Sequence, residues 1–481
     1  MPILVGVDLG TTKITCIAVE TETGEILAIS SAGNQANITS EPDRARSRSE
    51  WHAPSIISTA QECLRQVTRQ LGVRRSEIAG VGITGQQHGM VLVHSETLEA
   101  LSPLINWQDR RALDLMPGSQ TTWLAAARDA LGAEIWKQTG CYLQPGFMAS
   151  TLFELRHRGE LPTNALSLFI MDYFGAVLTN QRPVTEPSCA GSSGIFDVRS
   201  RNWSDQAIQS LGLPRSLFPD VVEADQLLGR VTVEQAQQTG LPAKTPVFAG
   251  IGDHQASFLG TVRNRQETVL VNVGTGAQVA VYTEGFEFSP PVELRPCPCG
   301  GNLLSNVGLA GGWSYQILEN FFQDVGRELF DTVPENKLYD IMNRLALKAA
   351  TGADGLRCEP KFSGTRLDPS VRGSISGLSP HNFTARHLAR AVLEGMGQSL
   401  RDGYQAIQQI TGRSAATLVA AGNGLRENPV LAGIVESQFQ LPLTFTRQRE
   451  EAAFGAVLVA GVGAKVFANI EHAASQLVHR A

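Results

Sequence analysis

Residues 248–279 read FAGIGDHQASFLGTVRNRQETVLVNVGTGAQV, and three features follow one another in them. A single acidic residue sits on a glycine turn at Gly252-Asp253. An apolar strand runs from Thr268 to Val273. A second glycine turn, Gly274-Thr275-Gly276, ends that strand. The start of the chain repeats the latter half of this pattern. A strand through Ile3-Leu4-Val5-Gly6-Val7 leads into Asp8-Leu9-Gly10-Thr11-Thr12, so Asp8 and Asn272 hold equivalent places. Glycine permits close backbone approach, and successive amides in such a turn can cradle phosphate oxygens. Taken alone, either turn reads as an ordinary hairpin. Two matched turns and one isolated carboxylate point to a nucleotide held between the halves of a duplicated fold.

At 481 residues the chain exceeds what one hydrophobic core usually serves, so two large domains are expected. The turn-rich segment Leu241-Pro242-Ala243-Lys244-Thr245-Pro246 sets the expected boundary, giving 1–246 and 247–481. Hydrophobic content of 42% and charged content of 18% fit a globular enzyme. Forty basic against 46 acidic residues give −6 with no basic block, which argues against nucleic acid or an anionic membrane as partner. Seven cysteines, an odd number scattered along the chain, argue against a disulfide framework and fit a reducing cytosol. A strand begins within three residues of the N-terminus, with no leader pattern, and no apolar run approaches the ~20 residues of a membrane span. A cytoplasmic location is expected.

Further motifs lie between the two turns and beyond them. Residues 3–30 alternate as a hairpin or meander, and Pro54 to Gln70 places Ile56, Ile57, Ala60, Cys63, Leu64 and Val67 on one helical face. The segment IAGVGITGQQHGMVLV reads as strand, glycine-flanked turn and strand, with Gln87 and His88 at its tip. Both side chains can hydrogen-bond a polyhydroxylated ligand, though a satisfied structural histidine explains His88 as well. Trp107 offers a flat face to sugar C–H groups, and Asp109 can accept from hydroxyls. A core tryptophan beside an ion pair is the alternative. Asp253 is equally readable as a helix N-cap. Cys297-Pro298-Cys299 lacks the companions of a four-ligand metal site. A buried strand, Thr417 to Ala421, ends in Gly422-Asn423-Gly424, and a helix is expected with Asn428 as N-cap and Pro429 at its first position. A last helix is expected from Glu450 to Val462.

With these pieces in place the chain resembles the FGGY carbohydrate kinases of the actin-like ATPase superfamily from end to end. The segments that carry the resemblance are VGVDLGTTK, GITGQQHGM, NWQDRR, GIGDHQAS, NVGTGAQ, DPSVRGSISGLS, AAGNGLRENPV and EEAAFGAVLVA. Within the family it is most similar to the sedoheptulokinase-like branch, through ITGQQHG, NWQDRR and FSGTRLDPSVRGSISGLS. The resemblance implies an α/β fold of two actin-like (ribonuclease H-like) domains flanking a catalytic cleft, with sugar on the N-terminal side and ATP on the C-terminal side. It implies Asp253 as catalytic base, in contact with both substrate and metal, and Asp8 as the magnesium-associated aspartate. Gly10, Thr11, Thr12 and Lys13 then form the first phosphate turn and Gly274, Thr275 and Gly276 the second. Gly422, Asn423, Gly424 and Asn428 match the adenosine segment, and Gln87, His88, Trp107 and Asp109 the sugar side. Arg110 departs from the family, whose members often have glycine there, and Asn272 is a milder entry to the second turn than Asp8 is to the first.

The implied activity is transfer of a phosphoryl group from ATP, with Mg²⁺, to a primary hydroxyl of a ketose. Sedoheptulose is the first expectation for the acceptor, and D-xylulose or D-ribulose the alternatives. The rival of another class is a non-catalytic, nucleotide-dependent sugar sensor, for which an intact Asp8 and Asp253 would be superfluous. Of partners, a small-molecule ketose is expected, neither nucleic acid nor membrane is, and a homodimer is left open.

Overall fold

The computed structural model describes residues 1–332 and 338–480. Two mixed sheets dominate it, and their strand patterns match. In the first, Pro246–Phe248, Ile78–Gly85 and Ile3–Leu9 run parallel, and Lys13–Glu20 and Ile26–Gly33 follow antiparallel. In the second, Leu443–Phe445, Thr417–Ala421 and Thr268–Val273 run parallel, and Ala277–Thr283 and Asn302–Leu309 follow antiparallel. Short edge strands, Leu227–Arg230 and Glu293–Pro296, extend one sheet each. The duplication read from two turns thus extends to five strands per half.

The repeat sets the register of the two turns. Asp8 lies opposite Thr15 and Thr84, one residue before its strand ends. Asn272 lies opposite Gln278 and Ala421 at the same place in its own sheet. Both turns therefore leave the sheets at equivalent corners. The first sheet holds the chain beyond 246, because Val247 pairs with Val81 and Ile251–Gly252 pair with Thr84–Gly85.

Helices cover the sheets where the apolar spacing requires it. Ala53–Leu71 buries Ile56, Ile57, Ala60, Cys63, Leu64 and Val67, the expected face. Ala385–Thr411 likewise buries Leu388, Val392, Met396, Leu400 and Tyr404. The Pro429–Phe439 helix begins at Asn428, whose side chain accepts from the Leu431 N–H at 3.0 Å, with proline at its first position.

Glu451–Gly463 is of another kind. Its residues 453–461 are all buried, and a helix apolar on every side must be packed on every side. It lies against the first sheet on one flank and against the Asp253–Thr261 helix on another. A Cβ at Gly6 would meet the Ala453 carbonyl oxygen at 2.1 Å, and one at Gly455 would meet that of Ala256 at 1.9 Å. Backbone touches backbone at both places, and only glycine fits. None of the described helices is long and apolar enough to cross a membrane.

Candidate active site

Asp253 reaches the centre of the molecule through strand pairing. Ile251–Gly252 adds beside Thr84–Gly85, and Thr84 is in turn the neighbour of Asp8. The ends of three strands thus bring the two aspartates together. A Cβ at Gly252 would lie 2.0 Å from Gln87 Nε2, so any larger residue there must displace the Gln87 side chain from the turn. Asp253 is the first residue of the Asp253–Thr261 helix, and its Oδ1 accepts the His254 N–H at 2.7 Å. Burial outweighs these amide bonds and pushes its carboxyl up to about 6.

Asp8 is pushed further, to about 7, first by burial and then by the charges of Asp253 and Glu450, with Lys13 opposing them. Its Oδ1 is buried and has no hydrogen-bond partner. An orphaned carboxylate oxygen beside a second carboxylate is costly, and a hard divalent cation with oxygen ligands relieves that cost. The donor set at Asp8 and Asp253 fits Mg²⁺.

The first phosphate turn is braced from the sugar side. Thr11 Oγ1 donates to Gln86 Oε1 at 3.1 Å and accepts from Trp107 Nε1 at 2.9 Å. Gly10 and Thr12 anchor the turn through their carbonyls, which accept from Asn34. Lys13 has a partner the sequence did not disclose. Its ammonium pairs with Glu450 at 2.6 Å, at the start of the Glu451–Gly463 helix.

The second turn sits on a helix N-terminus. The Gly274 carbonyl accepts from Gly312 N–H at 2.9 Å and the Thr275 carbonyl from Trp313 N–H at 3.0 Å. Residues 274–276 are exposed; the Gly274 N–H closes the turn on the Gly276 carbonyl at 2.9 Å, which leaves the Thr275 and Gly276 amides for a ligand. Gly422, at φ +82°, packs on the end of the same strand, where a Cβ would stand 2.4 Å from the Val273 carbonyl oxygen. Parallel pairing of Thr268–Val273 with Thr417–Ala421 therefore stacks the segment expected to hold adenosine on the second glycine turn. Asn423 and Gly424 form the first turn of a short helix, Asn423–Arg426, and Asn423 is exposed. Asn428 is buried as the N-cap of the next helix.

On the sugar side the four expected residues divide. His88, at φ +75°, stacks on Phe147 at 4.2 Å and approaches the Ser192 carbonyl with Nδ1 at 2.9 Å. A carbonyl only accepts, so Nδ1 carries the proton. Burial, with Arg295 and Arg366 nearby, holds the ring well below its usual range and therefore neutral. Nε2 is left as an acceptor for a hydroxyl. Gln87 is buried and gives its amide N–H to the Ser188 carbonyl at 2.9 Å, so it braces the Gly252 turn. Trp107 is exposed and tied to Thr11.

The structure does not bring Asp109 to the others. It is fully buried, its Oδ1 accepts from the N–H and Nε of Arg111, and its Oδ2 accepts from Ser49 N–H and Arg111 Nη2. Four bonds fill a carboxylate, and none of its acceptor capacity is left for a sugar hydroxyl. Arg110, the residue in place of glycine, donates to the carbonyls of Trp107 and Pro145 at 3.3 Å each and so ties down the loop before Phe147.

Two groups escaped the sequence reading. His254 bonds Ser305 Oγ through Nε2 at 2.9 Å, and burial and Arg295 push it down to about 4. Its place directly after Asp253 was the available signal. Glu293 bridges Arg295, at 2.8 Å, and Arg366, at 2.7 Å, beneath the Phe147 ring. Nothing local announces that cluster, because Arg366 comes from a loop 73 residues away.

A duplicated mixed sheet, paired aspartates at its strand ends and two glycine turns at equivalent strand ends fit a phosphotransferase of the two-domain, actin-like type. The chain belongs to the FGGY family of carbohydrate kinases. The family's N-terminal domain matches residues 3–260 and its C-terminal domain residues 272–464. Sedoheptulokinase of Mus musculus is 27% identical, across 95% of this chain and 97% of that protein. Xylulose kinase of Lactococcus lactis is 24% identical, across 100% and 91%, and L-fuculokinase of Escherichia coli K12 26% identical, across 99% and 95%. Among solved structures, xylulose kinase from Rhodospirillum rubrum superposes with a TM-score of 0.86 at 24% identity, covering 100% of this chain and 93% of that one. Gluconate kinase from Lactobacillus acidophilus does so with 0.85 at 20%, covering 100% and 92%. These two likenesses carry the fold. The family carries the reaction class, ATP-dependent phosphorylation of a sugar hydroxyl.

Proposed function

We propose that this kinase phosphorylates a primary hydroxyl of a ketose, with sedoheptulose as acceptor and D-xylulose or D-ribulose as the alternatives. The observation that carries the reading is Asp253, a half-buried aspartate at a helix start, close enough to Asp8 for the two charges to act on each other. Support for the acceptor comes from the sedoheptulokinase of Mus musculus and from the segments shared with that branch.

In the proposed mechanism Asp253 accepts the hydroxyl proton as the sugar oxygen bonds the γ-phosphorus and the bridging P–O bond breaks, with ADP leaving. Its raised pKa makes it a stronger base than a solvated aspartate. Such transfer depends mainly on positioning and charge stabilisation. The amides of 10–12 and those of Thr275 and Gly276, in the turn that Gly274 closes, hold the phosphates, and Gly422, Asn423 and Gly424 seat the adenosine. His88 accepts from a sugar hydroxyl through Nε2, and Trp107 lies against the ring or chain of the sugar. Mg²⁺, held by Asp8 with Asp253 nearby, neutralises phosphate charge when bound.

An ADP-release assay across sedoheptulose, D-xylulose, D-ribulose, fructose and glycerol tests the proposal. Sedoheptulose is expected to give the highest kcat/KM. ADP release that no ketose stimulates would overturn the reading.

A further inference from the structure

A second concave site lies at the far end of the C-terminal sheet. It is a cavity of about 350 Å³ at the beginnings of the strands whose ends carry the glycine turns. Thr268 and Thr417, the first residues of that parallel pair, line it, together with Thr261 and Phe445. This volume is within the range of small-molecule sites.

Its charge is the opposite of the chain's. Arg263, Arg265 and Arg480 all line the cavity, and Glu471 is the single acidic residue that does among the described residues. Arg265 is accounted for in part: it pairs with Glu471, and its guanidinium lies over the Tyr282 ring at 4.1 Å. Its Nε is nevertheless buried without a partner. Arg263 and Arg480 make no ion pair among the described residues. Three guanidiniums against one carboxylate leave this cavity electropositive, in a molecule of net charge −6. Guanidinium donates and never accepts, and its planar fork matches phosphate oxygens.

We infer that this cavity binds a phosphate group, as the free ion or as a small phosphate ester, through Arg263, Arg265 and Arg480. The site is separate from the catalytic centre and does not depend on which sugar is the acceptor. Thr261 is the last residue of the helix that begins with Asp253, so a ligand here touches the element that presents the catalytic carboxylate.

Calorimetric titration of the full chain, with its nucleotide turns saturated by a non-hydrolysable ATP analogue, reads this cavity. Inorganic phosphate and ribose 5-phosphate are the probes. One molecule per chain is expected, bound at least ~10-fold more weakly by the Arg263→Ala/Arg480→Ala variant, a change of about 1.4 kcal/mol. Tighter binding of the ester identifies a phosphorylated metabolite, and equal binding identifies the free ion. The variant should keep the parent's sugar-dependent ADP release, since neither arginine touches the catalytic centre, and that rate also reports its folding. Absence of binding by both probes, or equal binding by parent and variant, would overturn the assignment.

Discussion

Trp107 Nε1 donates to Thr11 Oγ1 at 2.9 Å, and this bond joins the sugar-side loop to the first phosphate turn. Thr11 passes the contact on to Gln86, which also accepts from Asn106 at 3.3 Å. The proposed acceptor and nucleotide sites therefore share one short chain of hydrogen bonds.

That chain predicts non-additive kinetics. Trp107→Phe and Thr11→Val each remove one end of the same bond, so the second substitution should add little to the first. A double-mutant cycle on kcat/KM should return a coupling of about 0.5–1.5 kcal/mol. Strict additivity would show that the two loops act independently.

The crossing of the Asp253–Thr261 and Glu451–Gly463 helices predicts a steric limit. A Cβ at Gly455 would stand 1.9 Å from the Ala256 carbonyl oxygen, and one at Gly260 would stand 2.1 Å from that of Glu451. Gly455→Ala must push the helices apart, at a cost of about 1–3 kcal/mol. Thermal unfolding should show a lowered Tm, and kcat should fall because Asp253 moves with its helix. An unchanged Tm would mean that the helices are not in backbone contact.

Glu293 predicts a pH-dependent contribution to stability. Burial raises its pKa, but Arg295 and Arg366 outweigh burial and bring it from 4.5 to about 2. A carboxylate whose folded pKa is depressed stabilises the fold above its unfolded value, and that stability is lost as pH falls from 4.5 towards 2. Glu293→Gln leaves Arg295 buried without its carboxylate, at a cost of about 3–5 kcal/mol near neutral pH. In denaturation measurements the gap between parent and variant should narrow through that window. A gap constant with pH would contradict the pairing.

The sequence disclosed what repeats or follows a local period. Both glycine turns, the Asp8 and Asn272 equivalence, the apolar face of Ala53–Leu71 and the Asn428-Pro429 helix start are written in consecutive residues. It concealed what depends on distant partners. Asp109 reads equally as a hydroxyl acceptor or as half of an ion pair, and the structure has the pair, with Arg111 and Ser49 filling the carboxylate; Lys13 reads as part of the first phosphate turn, and its pairing with Glu450 is not legible. The helix expected from Glu450 to Val462 is present, but with residues 453–461 buried on every side it has no amphipathic stripe, so its contacts with both the first sheet and the Asp253 helix are not legible. The short strand Ile251–Gly252 was concealed for the same reason, since two residues carry no periodicity and only pairing with Thr84–Gly85 defines them.

The central claim is that Asp253 takes the proton from the acceptor hydroxyl. Steady-state kinetics of Asp253→Asn, with sugar binding measured in parallel, tests it most directly. A drop in kcat of ~10²–10⁴-fold with sugar affinity largely retained is the predicted result. A variant that keeps near-parental kcat would contradict the account.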